Sequence, residues 1–186
     1  MIGVYVAVVV VAVVLLFGVG TYNALVRLRQ RVRESWSAID TELKRRYDLI
    51  PNLVETVKGY ASHERETLDA VIQARTRAVG STGSPGEQAA DEAPLVRALG
   101  RLFAVAEAYP DLKANQNFLD LQQQLQNTED RIQAARRFYN ANVRELNMRV
   151  EVFPSNLIAS MFGFQQAEFF EIEEMARETP RVDFSS

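Results

Sequence analysis

The apolar positions of this chain first form an unbroken run and then fall into a helical repeat. "IGVYVAVVVVAVVLLFGVG", residues 2 to 20, contains no charged side chain. At about 1.5 Å per residue the run spans roughly 29 Å, close to a hydrocarbon core of about 30 Å. Valine is a poor helix former in water, but in lipid every backbone group has to be paired within the segment. The run therefore predicts a transmembrane anchor over residues 1–22. A cleaved signal peptide is the rival reading. It requires a basic n-region, whereas only Met1 and Ile2 open the chain, and the run exceeds a usual h-region.

Beyond the anchor, Leu25, Leu28, Val32, Trp36, Ile39, Leu43, Tyr47, Ile50, Val54, Val57 and Ala61 recur along the chain. Their spacing averages that of a straight α-helix rather than that of a coiled-coil seam. The stripe passes through Pro51 without a phase change, with Leu49, Leu53 and Tyr60 widening it. A helix-interior proline costs roughly 3 kcal/mol, so Pro51 predicts a kink within one element, with the Tyr47 carbonyl released to water or a side chain. The first helix is expected to run from residue 22 to about 77. "GSTGSPGE", residues 80 to 87, marks a surface loop. A shorter helix over residues 88–108 comes next, with Leu95, Leu99, Leu102, Phe103 and Ala106 on one face. "YPDLKAN" from Tyr109 predicts a turn.

A third long helix carries Leu121, Leu125, Thr128, Ile132, Ala135, Tyr139, Asn142, Leu146 and Val150 on its stripe. Thr128 and Asn142 are polar among apolar neighbours, which suits buried residues that set helix register. "FPSN" from Phe153 ends that helix, "LIASMFGFQQAEFFEIEEMARE" supplies a last helical or half-helical segment, and "TPRVDF" forms a tail. The fold class is all-α: an N-terminal transmembrane helix continuing into an elongated up-and-down four-helix bundle. The domain limits read as anchor 1–22, bundle 23–178 and tail 179–186.

Composition agrees with a helical protein: 47% hydrophobic and 24% charged residues, with few aromatics. The absence of cysteine excludes disulfides and thiolate metal sites. A net charge of −3 gives no reason to expect nucleic acid as a partner. Its distribution is more informative. "RLRQRVR" places Arg27, Arg29, Arg31 and Arg33 just after the anchor, whereas residues 151–186 carry seven acids against two bases. By the positive-inside rule the arginines orient a single-pass protein of the cell membrane, N-terminus outside and bundle in the cytoplasm. Arginines beside an anchor also suit anionic lipid heads, at roughly 1 kcal/mol per basic residue.

Residues in a catalytic or ligating pattern are lacking. His63 is the only histidine; a zincin requires a second one a turn later, where Thr67 stands, and a di-iron bundle requires Glu-x-x-His, where Tyr60 stands. "GSTGSPG" lacks the Lys-Ser/Thr of a phosphate-cradling loop. The carboxylates scatter over expected solvated faces. No catalytic residue, cofactor site or metal site is predicted, and the protein reads as a non-enzyme.

The stretches "YN.LV.LR" after the anchor, "RRYDLIPNLVETVKGYASHE", "YPDLKANQNFLDLQQQL", "TEDRIQAARRFYNANV" and "FPSNLIASMFGF" resemble the LemA family of membrane-anchored bacterial and archaeal proteins. They cover most of residues 22–164. The resemblance implies a transmembrane helix followed by an up-and-down helical bundle, with no catalytic set to transfer. One family member takes part in building magnetosome membranes, which implies that the scaffold can serve membrane organisation.

Two roles stand as expectations. One is a membrane-anchored interaction or scaffold protein, and the other an accessory subunit that regulates a membrane enzyme such as a protease. The expected partners are the lipid bilayer, further copies of the chain and an unidentified membrane protein. Self-association rests on lengths. A first helix of roughly 80 Å outruns a second of about 30 Å, leaving Leu25, Leu28, Val32 and Trp36 uncovered unless another copy or the chain's own C-terminal segment packs there. Met161, Phe162 and Phe164 join the candidate interface, either closing the bundle end or forming a partner- or membrane-touching patch.

Overall fold

The computed structural model describes residues 1–171, and those residues form six α-helices with no strand among them. They are α1 (Ile2–Tyr60), α2 (Arg65–Gly80), α3 (Pro85–Ala106), α4 (Pro110–Lys113), α5 (Gln116–Glu151) and α6 (Ser155–Met161). The protein is all-α, as the periodicity predicts. The expected tail over 179–186 and much of the expected last helical segment lie outside the described residues.

Two compact units are built from these helices, with the boundaries inside α1 and α5. The first comprises residues 1–45 and 127–169. Its core takes Leu25, Leu28, Val32, Ile39 and Leu43 from α1, and Ile132, Tyr139, Val143 and Leu146 from α5. Thr128 and Asn142 are buried on the same stripe. Ser35, also buried, returns its hydroxyl to the Arg31 and Val32 carbonyls at 2.8 and 2.9 Å.

The second unit holds residues 46–126 together with Phe170 and Glu171. Ile50, Leu53, Val54 and Val57 of α1, Leu68 and Val71 of α2, and Leu95, Leu99 and Leu102 of α3 are buried there. α2 packs against α3. The start of α3 is fixed by a capping box: Ser84 accepts from the Glu87 backbone and the Glu87 carboxylate accepts from the Ser84 backbone, with Pro85 opening the helix.

One boundary differs from expectation. The first long helix does not reach residue 77: α1 ends at Tyr60, a turn occupies residues 61–64, and α2 begins at Arg65. Ala61 and Leu68 are both buried and lie seven residues apart, two helical turns, so the apolar phase survives the break and hides it. Ending α1 at Tyr60 narrows, without removing, the length mismatch that left the membrane-proximal stripe uncovered. Within the last segment, expected as helical or half-helical, α6 stops at Met161. Gly163, at φ +68°, is the reason. Its N–H reaches the Ser160 carbonyl at 3.3 Å while the Phe164 N–H reaches Ala159 at 2.9 Å, the two bonds of a Schellman end.

Pro51 lies inside α1, which continues to Tyr60. The Tyr47 carbonyl, whose helical partner the proline removes, accepts a 2.8 Å hydrogen bond from Arg75 Nε on α2. The expected side-chain partner exists.

Candidate functional site

The membrane-proximal end of the first unit gathers most residues that the sequence marks for function. Along α1 the apolar side chains from Ile2 to Val19 are exposed, and those of Leu25, Leu28 and Val32 are buried. The change falls where α6 meets the helix. A Cβ added to Gly18 would touch Ile158 Cδ1 at 3.8 Å, so α6 lies against the last turn of the anchor. One turn on, the Tyr22 ring meets Phe162 at 4.8 Å and Phe164 at 5.8 Å between centroids. The Schellman end of α6 turns Phe164 inward, where it is buried, and the Arg29 guanidinium sits 4.9 Å over its ring.

Leu25, Leu28 and Val32 are therefore covered within the chain itself. Their burial removes the reason to expect another copy over these three; beside Leu28 stand Glu145 and Arg149 of α5, while the residues that close α6 reach Tyr22 and Arg29. Trp36 is half-buried and tilts against Tyr139 at 5.4 Å. Met161 and Phe162 remain on the surface. Arg27, Arg29, Arg31 and Arg33 line the outside of α1 just beyond the anchor, and Arg27 and Arg31 share a groove with Glu145 and Arg149 of α5.

The segment after α6 is held to α5 by Asn147, which periodicity does not single out, and by Tyr139, which it does. Asn147 donates to the Ala167 carbonyl at 2.9 Å and accepts from the Ala167 N–H at 2.8 Å. The Tyr139 hydroxyl donates to the Glu168 carbonyl at 2.8 Å. Burial, then the nearby Glu168 charge, pushes the Tyr139 phenol up to about 12.

A second polar arrangement lies inside the other unit. Arg46 and Glu92 are fully buried and ion-paired. The same carboxylate accepts from the Tyr47 hydroxyl and, at 2.9 Å, from Gln88 Nε2, which also reaches the Tyr47 oxygen at 3.2 Å and the Ala78 carbonyl at 3.3 Å. The expectation that carboxylates occupy solvated faces is corrected at Glu92. Gln88 and Glu92 extend the stripe of Leu95, Leu99 and Leu102 backward by helical steps, so the register of α3 contained the signal. Burial among other donors makes this cluster a structural node. Nearer the surface, the hydrogen bond from Arg77 at 2.7 Å, with Ser81, holds the Asp91 carboxyl below its usual range. His63 is exposed in the turn after α1.

Fold and site together define an all-α membrane-anchored protein. A sequence model of the LemA family matches residues 35–184, and the chain belongs to that family. Among curated relatives, it is 28% identical to "Magnetosome protein MamQ 2" of Paramagnetospirillum magneticum, covering 87% of this chain and 68% of that one. It is 26% identical to "Protein LemA" of Metamycoplasma hominis over 86% of this chain and 73% of the relative. A similar level, 26% over 87% and 68%, relates it to "Magnetosome protein MamQ" of Magnetospirillum gryphiswaldense.

Proposed function

We propose that the protein is a single-pass membrane scaffold that presents its helical domain in the cytoplasm, at the cell membrane, for assembly with copies of itself or with another membrane protein. The carrying observation is the continuity of α1. One helix is apolar and exposed through Val19, then supplies core residues from Leu25 to Val57. Anchor and folded domain are thus one element, without a linker between them. Arg27, Arg29, Arg31 and Arg33 favour the cytoplasmic side for the helical domain beyond them. The likeness to proteins named for the magnetosome accords with a role at a membrane.

Purification of the full chain in mild detergent, with mass photometry and identification of bound proteins, tests this reading. Assemblies containing several copies, or the chain with a non-enzymatic membrane protein, support the scaffold. One membrane enzyme recovered at fixed stoichiometry would replace it with an accessory-subunit role. A cysteine at Ser84 should resist an impermeant thiol reagent in intact cells, and ready labelling would reverse the orientation.

A further inference from the structure

We infer that α6 and the turn preceding it form a second membrane contact, an apolar foot that enters the acyl–headgroup boundary beside the anchor. The inference rests on the anchored reading above. Its occupant is lipid, and three observations select it.

The first is depth. A slab of about 30 Å that starts at Ile2 ends about 20 residues later, near Thr21. Gly18, where Ile158 makes contact, then lies about 5 Å inside that boundary. A helix seated there is at the level where interfacial helices bury their apolar faces, about 5–10 Å into the headgroup–acyl region.

The second is exposure. Phe153 is 73% exposed, Leu157 57%, Met161 74% and Phe162 55%. Outside the anchor, the other large exposed apolar side chains of the described residues are more scattered. Here, with the exposed Val152, five fall within residues 152–162, beside a helix that is itself apolar and exposed. The foot continues the lipid-facing surface of the anchor. Its backbone also suits low polarity: Ser155 Oγ donates to Arg149 and Val152 carbonyls at 2.8 Å, and the C-terminal end is closed by the Phe162, Gly163 and Phe164 N–H groups.

The third is the order of chemistry along α1. From Gly18 to Arg27 the helix rises about 13 Å. There Arg27, Arg31 and Arg149 line one groove of about 190 Å³ with a single carboxylate, Glu145. Apolar groups followed by guanidiniums match the passage from acyl chains to lipid phosphates. Arg29, in the same arginine layer, sits over the Phe164 ring.

The chain has no cysteine, so single cysteines report cleanly. The full protein carrying Met161→Cys, Leu157→Cys, Val10→Cys or Ser84→Cys is labelled with an environment-sensitive fluorophore. Each is reconstituted into vesicles of phosphatidylcholine with one-third phosphatidylglycerol. Quenching is compared between a spin label high on the acyl chain, one near its end, and iodide in the buffer. The proposal expects labels at Met161 and Leu157 to emit blue-shifted light, to be quenched several-fold more by the shallow lipid label than at Ser84, and to be shielded from iodide. The Val10 label should respond to the deep lipid label. Iodide access at Met161 and Leu157 equal to that at Ser84 overturns the foot while Val10 keeps the anchor. Loss of lipid quenching at Val10 overturns the anchored reading itself. Shielding at Met161 without lipid quenching, persisting in dilute detergent, means that protein covers the patch and also overturns the proposal. Circular dichroism of each variant confirms the fold, and both foot positions are on the surface.

Discussion

Glu92→Gln is the sharpest test of what holds the second unit together. The substitution keeps the volume of the side chain and leaves one acceptor oxygen, but it removes the negative charge that faces Arg46. Both side chains are fully buried. Removing one partner of a buried ion pair costs about 3–5 kcal/mol, because the buried guanidinium loses the counter-charge that Glu92 supplies. Against a total stability of about 5–15 kcal/mol, that is a large share. For a chain of this size each kcal/mol moves Tm by about 2–4 °C, so a fall of roughly 6–20 °C is expected.

The control is the double variant Arg46→Met with Glu92→Leu. It removes both charges and leaves the Gln88 amide facing the Tyr47 hydroxyl and the Ala78 carbonyl. Replacing a whole buried pair by apolar side chains is often neutral or stabilising, so the double variant should be more stable than Glu92→Gln alone. Thermal unfolding of the full chain in detergent, monitored by far-UV circular dichroism, reads both. A single variant that loses less than about 1 kcal/mol, or a double variant as unstable as the single, refutes the reasoning from desolvation.

Three further outcomes rest on particular contacts. Asn147→Ala removes both hydrogen bonds to Ala167 and should cost about 1–3 kcal/mol, and amide exchange should quicken at Ala167 before it does in α5. Arg75→Ala should destabilise the native chain by about 1–2 kcal/mol by leaving the Tyr47 carbonyl without its guanidinium donor; in a Pro51→Ala background the loss should shrink, because the alanine restores the helical N–H, and equal losses in both backgrounds would refute the link. Tyr139 ties stability to alkaline pH: its folded value of about 12 stands above the ordinary 10.0, so the unfolded chain loses the proton first, and its contribution is complete below about pH 10 and disappears as pH rises toward about 12. Denaturant titrations should show that decline, and Tyr139→Phe should remove its share.

Periodicity locates the helical cores but not all their ends. Leu25 through Val57 are buried at the aliphatic positions of the stripe, because burial of one face is what the repeat encodes. The break at residues 61–64 preserves that repeat and leaves no trace in it. Gly163 is legible in principle, since a glycine after an apolar helical run is a common helix end. Asn147 is not. Its partner is a backbone twenty residues away, and a polar residue on a helix surface carries no mark of what it will bind. Glu92 escapes for a different reason: charge ordinarily signals solvent, yet its spacing from Leu95 and Leu99 places it on the buried face.

The anchor and the foot together change what a single transmembrane helix can do. A lone span fixes how far its domain stands from the bilayer, but leaves rotation about its axis free, and tilt is decided by whatever flanks it. α6 removes that freedom because it is attached on one side of α1 only, through Gly18, Tyr22 and Arg29. With Leu157, Met161 and Phe162 in the interface, one face of the first unit is held toward lipid, and rotating it away would bring those side chains into water. At roughly 25 cal/mol per Å² of apolar surface, even partial burial of these three side chains favours one rotation by a few kcal/mol, ample to set a preferred angle. A scaffold that assembles on a membrane gains directly from this: neighbours presented at a common angle meet with most of their orientational entropy already lost.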